Sequence, residues 1–138
     1  MFQKILIATD GSEHSFRSTQ YAVQLAEKFD GTIDIVYIVD GQTAKSDVLN
    51  STDKYAIEKK RNEKINAVKQ MVTDAQIECE AHILHGEPGP TIVDFANKHD
   101  FDCVIVGSRG LNKLQTMVLG SVSHKVAKRV ECPVLIIK

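Results

Sequence analysis

Short apolar runs rich in β-branched residues alternate along the chain with longer segments whose apolar positions recur every three or four residues. Runs of Val, Ile and Leu bounded by turn residues are typical of strands buried on both faces of a parallel sheet. The predicted strands are residues 4–8, 32–39, 78–84, 103–106 and 134–137, of which the third alternates polar with apolar side chains.

The segments between these runs have the periodicity of amphipathic helices. The predicted helices are residues 12–28, 50–73, 88–98 and 121–130, and the third begins with a proline at a permitted first-turn position. Ser12 is expected to cap the first helix, with Ser15 as a second candidate. Residues 40–50 are short and polar and are predicted to form a loop.

The order β-α-β-α-β-α-β-α-β predicts an α/β fold in which helices cover both faces of a parallel sheet. Right-handed crossovers leave few topologies for such a chain. Ligands of open α/β sheets bind beyond the carboxyl ends of the strands, at a switch point in strand order. Three segments are therefore candidates for a binding site, namely residues 9–12, 39–41 and 107–123.

The third of these segments carries the parts of a phosphate site. Gly107 and Gly110 follow a strand directly, and after nine more residues Gly120 and Ser121 open a helix. Glycines let backbone N–H groups approach a ligand closely, and a helix N-terminus offers unpaired N–H groups and partial positive charge. Further hydroxyl and cationic groups in the segment are Ser123, Arg109 and Lys113.

Two common phosphate motifs do not fit this segment. Neither the Gly-Lys-Ser/Thr of a Walker A loop nor the Gly-x-Gly-x-x-Gly of dinucleotide sites occurs here. The connection is also longer than the two to six residues usual between a strand and a helix. The alternative is a structural loop that packs on the domain or contacts a second subunit through Leu111, Leu114, Met117 and Val118.

The spacing Gly-x2-Gly-x9-Gly-Ser resembles the nucleotide-binding branch of the universal stress protein family. The resemblance extends over the chain, through residues 4–12, 36–39, Gly86-Glu87-Pro88 and the last strand after Cys132-Pro133. It implies one universal stress protein domain over residues 1–138, with a Rossmann-like (adenine nucleotide α-hydrolase-like) fold. The implied sheet has five strands in the order 3-2-1-4-5, and the implied ligand is ATP.

The resemblance also implies the site residues. Ala8 stands where some relatives have proline, which would change the pocket wall slightly. Around the phosphates and ribose the resemblance places Gly107, Gly110, Gly120 and Ser121, with Ser108, Arg109, Val122 and Ser123 beside them. Under the base and ribose it places Ala8, Thr9 and Asp10, and against the adenine Ile38.

Two further expectations concern a metal ion and a second subunit. Mg²⁺ would be held mainly by phosphate oxygens and water, with Asp10 as the nearest carboxylate. The last strand, residues 134–137, is almost wholly apolar, yet the implied strand order puts it at an edge. An exposed apolar edge favours pairing with another chain, so a homodimer through this strand is expected.

Charge and composition exclude other classes of function. Seventeen basic residues oppose eighteen acidic ones, which disfavours a nucleic-acid binder. No apolar run reaches the ~18 residues of a membrane span, and the start lacks a secretory signal, so a cytoplasmic protein is expected. Three widely spaced cysteines are expected to be reduced and packed. The pattern assigns no role to His14, His82, His85, His99 and His124.

The leading hypothesis is an ATP-binding regulatory or stress-response protein that signals its occupancy to an unknown protein partner. A slow ATPase or a nucleotidyl-transferring enzyme of the same superfamily is the alternative. Such enzymes often carry a Ser-Gly-Gly-x-Asp-Ser loop after the first strand, whereas residues 9–15 are Thr-Asp-Gly-Ser-Glu-His-Ser. A nucleotide-free interaction module is the third hypothesis, and no catalytic residue is predicted.

Overall fold

The computed structural model describes residues 1–50, 53–108 and 120–138, without the side chains of residues 42 and 43. It contains five strands: β1 (Lys4–Thr9), β2 (Thr32–Val39), β3 (Cys79–His85), β4 (Cys103–Gly107) and β5 (Val134–Ile137). All four pairings are parallel, and the strand order is β3-β2-β1-β4-β5. The predicted order 3-2-1-4-5 is thus confirmed, and each predicted strand end lies within one residue of the observed one.

Within the described residues, five helices connect the strands: α1 (Glu13–Phe29), α2 (Gly41–Asn50), α3 (Lys54–Asp74), α4 (Pro88–Lys98) and α5 (Ser121–Arg129). The predicted long helix from residue 50 begins instead at Lys54, where the Asp53 side chain accepts a hydrogen bond of 2.7 Å from the Ala56 N–H. None of the helices in the described part of the chain is both long and apolar enough to cross a membrane.

The prediction of a loop over residues 40–50 is wrong, because α2 occupies this segment. Its apolar residues Val48 and Leu49 are 64% and 83% exposed, so its described side chains form no buried stripe that periodicity could reveal. It is held by contacts from elsewhere in the fold. Ala44 packs on the cluster of buried residues around Tyr37, and Asp47 accepts a 2.7 Å hydrogen bond from Arg61 of α3.

The core lies in two layers, one on each face of the sheet. Side chains alternate along a strand, so Ile5 and Ile7 face one layer and Leu6 faces the other. The first layer includes Ala22 of α1 and Val68 of α3, and the second layer receives α4 and α5. Burial on both faces explains why the strands are continuous apolar runs. Because all the strand pairings are parallel, each of these four helices runs from the carboxyl edge of the sheet back to its amino edge.

Candidate functional site

The carboxyl ends of β1, β2 and β4 lie side by side. Thr9 at the end of β1 pairs with Tyr37 of β2, and Ile7 pairs with Ile105, which lies two residues before the end of β4. The strand order reverses between β1 and β4, which is where ligands of such sheets bind. This edge carries several of the predicted site residues, namely Ala8, Thr9, Asp10, Ile38, Gly107 and Ser108.

Helices α1 and α5 both begin at this edge. Each leads from the carboxyl end of one strand to the amino end of the next, so their N-termini lie where β1 and β4 end. The remaining predicted residues in the described part of the chain, Gly120 to Ser123, form the start of α5. The unpaired N–H groups and the partial positive charge of these N-termini are suited to an anion.

The turn between β1 and α1 is built around Asp10. Its Oδ1 accepts hydrogen bonds from the Ser12 N–H at 2.9 Å and from the Ser15 hydroxyl at 3.2 Å. The Gly11 N–H donates to Thr9 Oγ1 at 3.2 Å, and Gly11 has a φ of +79°, a conformation that side chains disfavour. The carboxylate is therefore fixed by the turn, which orients it at the edge of the sheet.

Ser12 lies at the N-cap of α1, but its side chain makes no capping hydrogen bond, so that part of the prediction is wrong. Ser15 bonds locally instead, and its single hydroxyl proton is shared between the Ser12 carbonyl oxygen at 2.7 Å and the more distant Asp10 Oδ1 at 3.2 Å. Among the described residues, Ser12 Oγ is a buried side-chain oxygen without a hydrogen-bond partner. A buried unpaired hydroxyl costs about 1–3 kcal/mol, so rotation of the Ser12 side chain to meet a ligand oxygen would relieve that cost.

Lys64 of α3 is a site neighbour that the sequence did not indicate. A Cβ added to Gly11 would lie 3.0 Å from Lys64 Cδ, so the stem of this lysine crosses the β1–α1 turn. The sequence places Lys64 in a Lys/Glu-rich run that is typical of a solvated helix face. Only the packing of α3 against α1 brings this cationic side chain to the turn.

The start of α5 supplies backbone groups more than side chains. Gly120 is the N-cap residue, with a φ of −73° and a ψ of 167°. Ser123 is buried, and its hydroxyl donates to the Gly120 carbonyl oxygen at 3.1 Å, so the helix already uses that proton. Ser121 is exposed, and Val122 packs partly on the core layer beneath α5.

Two predicted residues of the central motif lie outside the described residues. These are Arg109 and Gly110, together with Lys113 and the apolar residues of the alternative packed loop. Ser108 is described and buried, and its N–H donates to the Ile137 carbonyl oxygen at 2.8 Å. That N–H therefore continues the pairing of β4 with β5, and its contribution to a phosphate site would have to come from the side chain.

The three cysteines are unpaired thiols, as the sequence predicts. Burial raises the pKa of Cys79 and of Cys103 to about 11, and it also raises the pKa of Cys132. The thiolate is the reactive form of cysteine, so these groups are protonated and unreactive at neutral pH. Their role in the fold is packing.

Comparisons with known proteins agree with this architecture. The profile of the universal stress protein family matches residues 1–138. Universal stress protein MJ0531 of Methanocaldococcus jannaschii is 32% identical over an alignment 149 residues long, gaps included. The alignment covers 100% of this chain and 83% of that protein. The solved structure of the protein MJ0577 superposes with a TM-score of 0.86 at 26% identity, covering 100% of this chain and 96% of that one.

Nucleotide complexes occur among the solved structures that this chain resembles. A universal stress protein in complex with cAMP superposes with a TM-score of 0.67 at 27% identity, covering 99% of this chain and 96% of that chain. The family resemblance of the glycine and serine spacing, the confirmed strand order and the match over every residue lead to one conclusion. The chain belongs to the universal stress protein family.

Proposed function

We propose that this protein binds ATP at the carboxyl edge of its sheet and acts as a nucleotide-dependent regulator in a stress response. The observation that carries the proposal is the meeting of two features at one edge. The Asp10 turn lies at the end of β1, and α5 opens there with Gly120 and Ser121. Both features present fixed polar groups before any ligand arrives.

The chemistry of the edge supports an adenine nucleotide. The N-terminus of α5 attracts phosphate, and the Asp10 carboxylate accepts hydrogen bonds as a ribose would require. Ile38 lies near the end of β2, where the resemblance places the adenine against its backbone, while its side chain packs on the core. The relative solved with cAMP holds an adenine nucleotide in the same fold. ATP rather than a shorter nucleotide follows from the long glycine motif, through the resemblance described above.

Mg²⁺ accompanies the nucleotide in this proposal. The ion keeps several waters and is usually held by one or two carboxylates together with phosphate oxygens. Asp10 is the carboxylate at the turn, and its orientation is fixed by the hydrogen bonds from Ser12 and Ser15. The aliphatic stem of Lys64 lies against the same turn, and in this proposal its ammonium group contributes positive charge near the phosphates.

Calorimetric titration of nucleotide-free protein with ATP tests the proposal. We expect micromolar affinity in the presence of Mg²⁺ and weaker binding in EDTA. The Ser12→Ala variant should bind ATP several-fold more weakly, because Ser12 Oγ is the buried hydroxyl that lacks a partner. Its thermal stability should be unchanged or higher, since the substitution removes an unpaired buried hydroxyl.

A second serine variant is the control for this titration. Ser18→Ala is the control for Ser12→Ala, because it removes the hydroxyl of a buried serine within α1, one whose hydroxyl donates to the His14 carbonyl oxygen at 3.2 Å. That variant should keep its affinity for ATP. The proposal fails if wild-type protein neither titrates with ATP nor carries an adenine nucleotide detectable by mass spectrometry after gentle purification.

We also propose that two copies pair through β5. This strand lies at the edge of the sheet, and its Leu135 side chain is 39% exposed. An apolar strand with a free edge is a template for pairing, and antiparallel pairing about a two-fold axis gives an isologous dimer.

Light scattering measures this assembly directly. Wild-type protein at micromolar concentration should have the mass of a dimer, and Leu135→Lys should shift it toward the monomer. Lysine on an edge strand blocks pairing, and the two-fold axis would bring two such charges together. Ile83→Lys is the matched control, because Ile83 is also 39% exposed but lies on β3 at the opposite edge. A monomeric wild type contradicts the proposal.

A further inference from the structure

Three metal-ligating side chains meet on the sheet away from the nucleotide edge. Asp34 of β2 pairs in register with Glu80 of β3, and His82 lies two residues further along β3 on the same face. His82 Nε2 is 2.8 Å from Asp34 Oδ2. One donor atom from each of the three residues lies within 4.8 Å of the others.

The histidine and the aspartate are held in place by their surroundings. Their side chains are only 23% and 15% exposed. The imidazole of His82 packs on Phe95 of α4, with ring centroids 4.9 Å apart. The Phe95 ring in turn packs on the imidazole of His99, with ring centroids 4.3 Å apart. A ligand whose orientation is fixed beforehand binds a metal more tightly than a mobile one. Glu80 is exposed and is free to adjust.

The donor set distinguishes among metal ions. Imidazole together with carboxylates suits Zn²⁺ and neighbouring transition metals, whereas Mg²⁺ and Ca²⁺ prefer oxygen ligands alone. With metal–ligand distances of about 2.0–2.2 Å, tetrahedral ligand atoms lie about 3.4 Å apart. The His82–Asp34 separation of 2.8 Å would open slightly, and rotation of Glu80 would bring its carboxylate closer. Three protein ligands leave the fourth position to water.

We propose that Asp34, Glu80 and His82 form a binding site for Zn²⁺ or a similar divalent transition-metal ion. The site lies apart from the proposed ATP site, because Asp34 precedes the end of β2 by five residues, or about 16 Å. Bound metal would cross-link β3, an edge strand, to β2. The ion would therefore stabilise this edge of the sheet independently of nucleotide.

Titration of metal-free, nucleotide-free, reduced protein with Zn²⁺ tests the site. We expect one ion per chain and a rise in the melting temperature. His82→Gln should weaken binding at least about tenfold and remove that rise, because an amide is a poor zinc ligand. Glutamine still offers a hydrogen-bond donor to Asp34, which favours retention of the fold.

Two further variants sharpen the test. Glu80→Gln alters an exposed ligand and should also weaken Zn²⁺ binding, so it decides the question even if His82→Gln fails to fold. His85→Gln is the matched control, because His85 lies on β3 but on its opposite face and should leave the affinity unchanged.

Cobalt spectroscopy distinguishes this site from the thiols. Co²⁺ bound by imidazole and carboxylates should show visible tetrahedral bands without the charge-transfer absorption of a thiolate ligand. The proposal is overturned if wild-type protein binds no Zn²⁺, if the bound Co²⁺ has thiolate character, or if Glu80→Gln and a folded His82→Gln both retain the wild-type affinity. In those cases His82 and Asp34 form a cross-strand hydrogen-bonded pair only.

Discussion

Replacing Gly120 by valine is expected to lower the affinity for ATP at least about a hundredfold, equivalent to about 2.8 kcal/mol of binding free energy. Gly120 is the N-cap residue of α5, and the proposed phosphates lie against the N–H groups of this first turn. A valine side chain there would occupy space that the phosphates need. The N–H groups behind it would then be too distant to donate hydrogen bonds.

The fold should tolerate this substitution. Gly120 has a φ of −73° and a ψ of 167°, an extended conformation that valine readily adopts. Loss of binding would therefore report on the site and not on backbone strain. Calorimetry measures the affinity, and a thermal melt verifies that α5 still packs through Val126 on the core.

Two further glycine substitutions test whether the size of the side chain at residue 120 causes the loss of ATP binding. Gly120→Ala should weaken binding less than Gly120→Val, because the effect follows the volume of the side chain. Gly41→Val makes the same change at the start of α2, where an added Cβ meets no atom within 4 Å, and should have a much smaller effect. Unchanged ATP affinity in Gly120→Val would show that the start of α5 does not bind the phosphates.

The sheet could be predicted from the sequence because its signal is local. A strand buried on both faces is apolar along its central positions, and residues 5–8 of β1 and 103–106 of β4 show this in their residue types alone. The order of the strands came from the family resemblance and was confirmed. Helix α2 escaped prediction because Val48 and Leu49 are exposed and its contacts come from distant residues.

Some residues of the candidate site could be predicted from the sequence, and others could not. The glycines and Asp10 are marked by type and position, since turns after parallel strands need them. Lys64 and the Asp34–His82 pair are not marked, because their partners are 53 and 48 positions away in the chain. Pairing of this kind depends on tertiary packing, and periodicity carries no information about it. The unpaired hydroxyl of Ser12 is likewise visible only once α1 is placed.

Binding of ATP does not by itself imply its hydrolysis. Catalysis needs an oriented water, a group that accepts its proton, and positive charge on the γ-phosphate in the transition state. Asp10 is the acidic residue that the resemblance places at the site, and there it points to the ribose. Its Oδ1 already accepts hydrogen bonds from Ser12 and Ser15, which stabilise the turn. Interactions that stabilise the ground state and the transition state equally increase the fraction of protein that holds ATP but do not speed its hydrolysis.

We therefore expect the purified protein alone to hydrolyse ATP far more slowly than typical enzymes, which turn over about 1–10³ times per second. Phosphate release measures the rate, and Gly120→Val, which should not bind ATP, measures the contribution of contaminating ATPases. Asp10→Asn is compared at saturating ATP and Mg²⁺, because Asp10 is also proposed to bind the ribose and the ion, and its maximal residual rate should match the wild type if Asp10 is not the base. Turnover near one per second that disappears in Gly120→Val would identify an enzyme. A rate that stays at background until a second protein is added would instead support a nucleotide switch, because the missing catalytic groups would then come from the partner.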